Sequence, residues 1–442
     1  MLSLCLAVVV AQVDTSVVNL ATQAIGQDLK AGVTSLQWVV DGYNVAYATV
    51  LLTGGLIADL YGRRRAFVLG ATILTVASVV CAFAPEIRTL IVARAVAGVG
   101  AACLIPASLA LIRVTWTDPR ARGRALGIWA GCNGVALAIG PTIGGLLIGR
   151  FGWRSVFGVV VPIAAVSVVG ALASLVESAH PEGRRFDLAG QVTGAAALAG
   201  LVIAGIEAAD SPIVAALIGA GALLAATLFL AIERRLRDAA LVPLHIFRNR
   251  AFAGATGAAF GMTFGMYGLL FLLPLHWQQA GLLTPFGAGL ALIPMALVFV
   301  AMSSASGRLQ EQLGTRLMTA LGMVTISAGL LVIAWGVRAD AWWPVELGLA
   351  GTGLGMGLAT GPLTAAAVGS VEARWAGTAA ALVNVARMAG ASIGVAVLGA
   401  VYQLASGGRG GLVAALATGA TAQALGGLGA WRTIRTAAEA PA

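Results

Sequence analysis

Fourteen apolar runs of about 20 residues dominate the chain, at about 2–25, 36–57, 66–85, 89–112, 125–149, 155–176, 188–206, 212–232, 251–275, 286–306, 317–337, 347–371, 375–402 and 411–431. A run of that length crosses a hydrocarbon core of ~30 Å as a helix. The helix is the form that satisfies its own backbone polar groups in lipid. Alternating apolar and polar dyads are absent, so a β-barrel is not expected. A water-soluble fold is excluded by the charge content: 10% of residues are charged, against roughly 25% in soluble domains. The 59 glycines would weaken soluble helices, but in a membrane small residues let helices approach closely. Leu2–Val10 is similar to the apolar region of a signal peptide. It lacks a basic leader and thirteen further runs follow, so it reads as the first helix. A start assigned late, or a trimmed N-terminus, is expected.

The turn Gly55–Arg65, GLIADLYGRRR, recurs in degenerate form at Gly307–Arg316, GRLQEQLGTR. Gly55/Gly307, Asp59/Glu311, Gly62/Gly314 and Arg64/Arg316 match at a constant offset of 252. Gly127, Ala136, Gly140 and Gly144 of the fifth run match Gly377, Ala386, Gly390 and Gly394 of the thirteenth at an offset of 250. The reading is a duplicated, all-α polytopic membrane protein of 6 + 2 + 6 helices. Its parts are an N-terminal six-helix bundle (1–176), an inserted two-helix linker with flanking loops (177–250), and a C-terminal bundle with a short tail (251–442). Parallel repeats of this kind place a transport site at the interface of the halves.

Arginine sets the sidedness. Nineteen basic residues fall in the loops on the side of the termini, six on the other side, and two, Arg94 and Arg387, inside runs. The termini and the Gly55–Arg65 turn are therefore expected in the cytoplasm. The net charge of +9 is scattered over many loops, so no nucleic-acid partner is expected. Cys5, Cys81, Cys103 and Cys132 lie inside apolar runs without metal or disulfide spacing and read as small hydrophobes. The three histidines (His180, His245, His276) read as loop residues without a role.

Several motifs resemble the major facilitator superfamily, and within it the fourteen-helix drug/proton antiporters of the EmrB/QacA type, over essentially the whole chain. VDTSVVNLATQAI (Val13–Ile25) is similar to their first-helix pattern, and GLIADLYGRRR to their loop between helices 2 and 3, with Leu60 at a position where the family has a basic residue. RAVAGVGAA (Arg94–Ala102) resembles the arginine motif of helix 4. Gly127, Gly140-Pro141 and Gly144-Gly145 resemble the antiporter signature of helix 5, and WRSVF the entry to helix 6. The resemblance implies alternating access, a gating role for the turn (Gly55, Asp59, Gly62, Arg63, Arg64, with Glu311 in the copy), and a helix 5 that seals the cytoplasmic leak path. The plain alternatives are a positive-inside anchor for the turn and ordinary small-residue packing for helix 5. In the turn itself, Gly62 supplies φ freedom, and Asp59 is placed to accept from N–H groups at a helix start.

Ionisable residues inside runs carry the sharpest signal, because each costs roughly 2.5–3.5 kcal/mol at the bilayer centre on insertion scales. Asp14 lies roughly 18 Å along its helix from Leu2, near the midplane, with Thr15, Asn19 and Gln23 as a polar stripe beside it. Asp41, Asn44 and Trp38 share one face of the second run, Arg94 lies at a similar depth in the fourth, and Asn384 precedes Arg387 by three in the thirteenth. Desolvation favours the neutral form of a carboxyl group, so a cavity-facing carboxylate can alternate between protonated and ionised forms. Asp14 is the first candidate for proton coupling and Asp41 the second, with Arg94 modulating its neighbour; Asn19, Trp38, Asn44, Asn384 and Arg387 are cavity candidates. An Asp41–Arg94 structural ion pair and an Asp14 satisfied by packing are the alternatives. Trp38, Tyr43, Met262, Phe264 and Tyr267 either line a cavity or face lipid, and Glu346 reads as a helix-end residue.

The expectation is a monomeric inner-membrane exporter that exchanges protons for small hydrophobic or amphiphilic compounds, with no cofactor beyond the proton gradient and no metal. No catalytic constellation is visible, so an enzyme is not expected. The alternatives are a dedicated exporter of one metabolite or self-made antibiotic, and a non-transporting sensor or scaffold.

Overall fold

The computed structural model describes residues 1–179, 187–236, 240–372 and 375–434, apart from several side chains between 119 and 139 and that of residue 377. Among these residues the structure is helical. The first six spans are α1 (Leu2–Asp28), α2 (Val33–Tyr61), α3 (Arg63–Ala82), α4 (Ile87–Thr115), α5 (Pro119–Phe151), and the pair α6 (Arg154–Gly158) and α7 (Val160–Ser174). Then follow α8 (Leu188–Glu207) and α9 (Pro212–Leu236). The last six are α10 (Arg250–Gln279), the pair α11 (Pro285–Ala291) and α12 (Ile293–Leu313), α13 (Thr315–Ala339), α14 (Trp342–Gly369), α15 (Ala376–Leu404) and α16 (Gly408–Thr433). Both breaks inside a span have a proline behind them. Pro162 and Pro294 lack the N–H that would bond to the carbonyl four residues back, and the helices restart at Val160 and Ile293. Twelve of these spans are long and apolar enough to cross a membrane. With α5 and α14, of 33 and 28 residues, they make the fourteen expected from the sequence.

The chain forms two compact units, residues 1–195 with 277–290, and residues 196–276 with 291–442. In the first, α2 and α3 both lie along α4, and α1 along α5. Glycine permits these approaches: a Cβ on Gly98 would collide with the Tyr43 carbonyl of α2, and one on Gly100 would lie 2.7 Å from the Leu74 amide of α3. In the second unit α13 lies along α14 through a seam of glycines. A Cβ on Gly322 would sit 2.7 Å from the Gly355 carbonyl, and one on Gly329 2.7 Å from the Gly348 carbonyl. The partners run backwards in register as Gly322 and Gly329 run forwards, which is the signature of antiparallel neighbours. Lipid supplies no hydrophobic drive between helices, so close van der Waals contact through small residues holds such pairs together.

The duplicated turns are geometrically alike. Gly62 (φ 112°, ψ 131°) and Gly314 (φ 78°, ψ 154°) each stand immediately before a helix, at α3 and α13, in a region of φ that L side chains rarely adopt. One histidine departs from expectation. His276 is buried in the last turn of α10, because the helix continues past Pro274 beyond the end of the apolar run. His245 lies in the short 3-10 turn Leu244–Arg248, stacked edge-on against Trp375 at 5.1 Å, and His180 lies outside the described residues.

A methyl group on Gly329 has only backbone to push against. Gly329→Ala is expected to lower the melting temperature of the detergent-purified protein, with an overpacking cost of about 1–3 kcal/mol. Gly149→Ala, where no atom lies within 4 Å of the new Cβ, is expected to leave it unchanged. Equal melting temperatures for the two variants would refute the seam.

Candidate functional site

The first unit is organised around a fully buried arginine. Arg94 of α4 is 1% exposed. Its Nη1 donates to Asp14 Oδ2 of α1, closing an ion pair in which both side chains are sealed from solvent. Nε donates to the Val39 carbonyl of α2 at 3.0 Å. The guanidinium lies over the Tyr43 ring at 4.6 Å and within 5.9 Å of the Phe157 ring of α6. Gly98, one turn further along α4, brings the α2 backbone close enough for Val39 and Tyr43 to reach the arginine. The charge is thus met by a carboxylate, a carbonyl and an aromatic face, which is what a buried cation requires.

Asp41 is not part of this cluster. Val39 and Tyr43 are each two residues away from it on α2, a rotation of about 200°, so Asp41 points away from the face that meets Arg94. The alternative of an Asp41–Arg94 pair is therefore replaced by Asp14–Arg94. Asp41 is 0% exposed. Neither of its oxygens reaches a partner at hydrogen-bond geometry, although Asn44 lies one turn further on the same face. Asn44 is 1% exposed with both amide atoms unsatisfied, and Asn19 of α1 is buried with its Oδ1 unsatisfied. Trp38 is half-buried on the Asp41 face.

The second unit holds Arg387 on α15. Thr263 Oγ1 of α10 donates to its carbonyl at 2.6 Å, and a Cβ on Gly390 would meet Thr263 Oγ1 and the Phe260 carbonyl, so α15 lies directly against α10 here. Its guanidinium forms no ion pair with a described residue, and Nε is buried without a partner. Asn384, one turn earlier, is half-buried. Glu346, in the second turn of α14, is half-buried with Oε2 unsatisfied.

The turn at Gly62 is clasped by a residue that the sequence did not point to. Asp59, expected to cap α3, instead pairs with Arg63 at 3.1 Å within its own turn. The cap comes from Glu177, beyond the end of α7. Its carboxylate accepts from the Arg64 amide at 3.0 Å and the Arg65 amide at 3.1 Å, where the N-terminal helix dipole favours negative charge. The Arg63 amide donates to the Ser178 carbonyl at 2.9 Å, and Arg64 Nη1 to the Leu175 carbonyl at 3.1 Å. A Cβ on Gly62 would lie 2.7 Å from the Glu177 carboxylate, so the glycine is required twice, for φ and for space. Gly55 faces Pro106 of α4 at ordinary contact. In the copy, the space around Gly314 is open and Glu311 is exposed. The one signal for Glu177 was an acid directly after an apolar run on the arginine-rich side.

The helix 5 motif packs α5 against α1 and α11. Gly140 meets Ser16, Gly144 meets Val17, and a Cβ on Gly145 would lie 2.6 Å from the Pro285 carbonyl. Gly289 of α11 faces the carbonyl of Pro141. The matched glycines of α15 do the same for their half, Gly390 against Phe260 and Gly394 against Phe264 of α10. The surroundings of Gly127 lie outside the described residues.

The sequence pattern of the Major Facilitator Superfamily matches residues 4–395. Multidrug resistance protein Stp of Mycobacterium tuberculosis (strain CDC 1551 / Oshkosh) is 34% identical over 392 residues, 88% of this chain and 72% of that protein. The methylenomycin A resistance protein of Streptomyces coelicolor (strain ATCC BAA-471 / A3(2) / M145) is 32% identical over 432 residues, 96% of this chain and 90% of that protein. Among solved structures, a crystal structure of the peptide transporter POT in complex with sulfate superposes with a TM-score of 0.75 at 15% identity, covering 96% of this chain and 92% of the other. At that identity the likeness is one of fold.

The Glu177 clasp has a measurable signature. Glu177→Ala is expected to lower stability by about 0.5–2 kcal/mol, the range for loss of a helix N-cap, read as a lower melting temperature in detergent. Gly62→Ala is expected to cost less in the Glu177→Ala background than in the wild type, because the collision with the carboxylate is gone. Strict additivity of the two substitutions would show that they do not touch.

Proposed function

The chain belongs to the major facilitator superfamily of membrane transporters, and we propose that it exports small hydrophobic or amphiphilic compounds across the inner membrane in exchange for protons, by alternating access. The observation that carries the proton assignment is the contrast between two buried carboxylates of the first unit. Asp14 has its countercharge in Arg94. Among the described residues Asp41 meets no cation and has only the Asn44 amide beside it, with neither carboxylate oxygen at hydrogen-bond geometry, so its negative charge would stand uncompensated and a bound proton removes it. We therefore place the transported proton on Asp41, and give Asp14 a conditional role: it takes up a proton when Arg94 is drawn away in another conformation. This reverses the order that depth along the helix favours. The relatives named for drug resistance support the efflux direction, and the arginine distribution supports cytoplasmic termini and a cytoplasmic Gly62 turn.

A second reading has its own support. A relative that aligns with nearly the full chain is named for resistance to one compound, methylenomycin A, which favours a dedicated exporter over a broad one. A panel of structurally unrelated compounds in everted vesicles separates the two: export of several supports the broad reading, export of one the dedicated reading.

The proton assignment is tested in proteoliposomes with an imposed ΔpH. Asp41→Asn is expected to abolish gradient-driven export while retaining substrate exchange at zero gradient, since the neutral amide imitates the protonated acid. Asp14→Asn is expected to reduce gradient-driven export and, by leaving Arg94 without its countercharge, to lower the melting temperature as well. Wild-type gradient-driven rates in both variants would remove protons from these two sites.

A further inference from the structure

Among the described residues Arg387 meets no countercharge. The six spans from α10 to α16 contain two acids, Glu311 and Glu346, and both lie near helix ends. Arg387 lies eleven residues into α15, about 17 Å from its start. Arg387 is half-buried, and because an arginine guanidinium does not give up its proton in proteins, the cost of that partial burial is not relieved by neutralisation as it is for a carboxyl group. Its Nε is sealed without a partner. The two Nη nitrogens are not among the sealed unpartnered atoms, and they hydrogen-bond to no described residue. Among the described residues Tyr267 interacts with it electrostatically. An intramembrane charge left in this state is costly, and it marks a place where an incoming ligand supplies the missing charge.

The surroundings describe the rest of that ligand. Phe260, Phe264 and Tyr267 are spaced i, i+4 and i+7 on α10, hence on one face. Thr263, adjoining that face, holds the Arg387 carbonyl, and the Phe260 and Phe264 rings are 6.2 Å apart. The duplication did not create this site: at the offset of 250 that relates α5 to α15, Arg387 corresponds to Leu137. A guanidinium on a helix packed against this aromatic-bearing helix fits a carboxylate, which accepts two parallel N–H bonds from the guanidinium fork, carried on a flat apolar body.

We propose that Arg387 is the anion-recognition group of the transport site, and that the compounds this chain carries are apolar carboxylates. This rests on the efflux reading for its physiological meaning, but its test needs no gradient. Binding of 1-pyrenebutyrate and of its neutral amide is measured by fluorescence anisotropy on the purified full-length chain in detergent. Wild type is expected to bind the carboxylate at least tenfold more tightly than the amide. R387Q is expected to bring the two within twofold of each other by weakening the carboxylate alone, with R387M as the second neutral variant should R387Q not remain monodisperse. A wild-type preference below twofold overturns the proposal, as does a tenfold preference that survives neutralisation of Arg387. Carboxylate preference without ΔpH-driven export would overturn the proton-coupled reading and support this one; export without carboxylate preference would do the reverse.

Discussion

One buried guanidinium organises the first unit. Arg94 projects from α4 and engages the Asp14 carboxylate of α1, the Val39 carbonyl and Tyr43 ring of α2, and the Phe157 ring of α6. Four helices of the first six spans are thereby referred to a single charge. Such an arrangement is weak evidence for stability, since burying two charges costs several kcal/mol per ion before their attraction offsets it. What it specifies is register. A helix that slid by one turn would leave an arginine or an aspartate stranded in a medium without water, so the ion pair penalises the wrong packings more than it rewards the right one. The glycines around it make the arrangement reachable. Gly98 lets α2 approach α4, and Gly140 and Gly144 let α5 approach α1, the helix that bears Asp14.

The sequence exposed the frame and the identity of the charged groups, but it did not pair them. Span number follows from run length, and the duplication from the matched glycines, because both properties are local or periodic. The equivalence of Gly62 and Gly314 was legible for the same reason: both stand at a turn where φ must be positive. Pairing was harder. Depth along a helix, which put Arg94 level with Asp41, says nothing about which way a side chain faces, and the choice between Asp14 and Asp41 depends on that direction. The angular relation of Asp41 to Val39 and Tyr43 becomes useful only once α4 is known to lie on the Val39–Tyr43 side. Glu177 was missed for a related reason. A cap delivered from 113 residues away has no signature at the helix it caps, where Asp59 looked sufficient.

The duplication copied packing and left chemistry behind. Gly140 and Gly390, Gly144 and Gly394 each receive the first helix of their own half. The charges are not copied in kind: at the turn's offset of 252, Asp14 and Asp41 fall on Met266 and Ile293 and Arg94 on an acid, Glu346, while at the offset of 250 Arg387 falls on Leu137. On the proposed assignment the first unit carries the carboxyl group whose charge a proton switches, and the second an intramembrane arginine whose charge is permanent. A proton and a substrate that bound the same carboxylate would be coupled by direct competition. On the proposed reading the proton and the substrate use different groups, an acid and a fixed base, so coupling would run through a conformational equilibrium that both ligands bias.

The sign of the fixed charge also sets the energetics of exchange. If a compound leaves as a monoanion while one proton enters, both movements carry positive charge inward, two charges per turnover. An inside-negative membrane then contributes about 2.3 kcal/mol per charge for every 100 mV, in addition to the pH gradient. A monocation exchanged for one proton would move no net charge, and the potential would contribute nothing. Arg387 would disfavour the second cycle, because a half-buried cation repels another at close range. On the proposed reading, a permanent positive charge in the second unit would do more than choose a ligand: it would direct the chain toward the cycle in which the whole proton motive force, potential and gradient together, drives export.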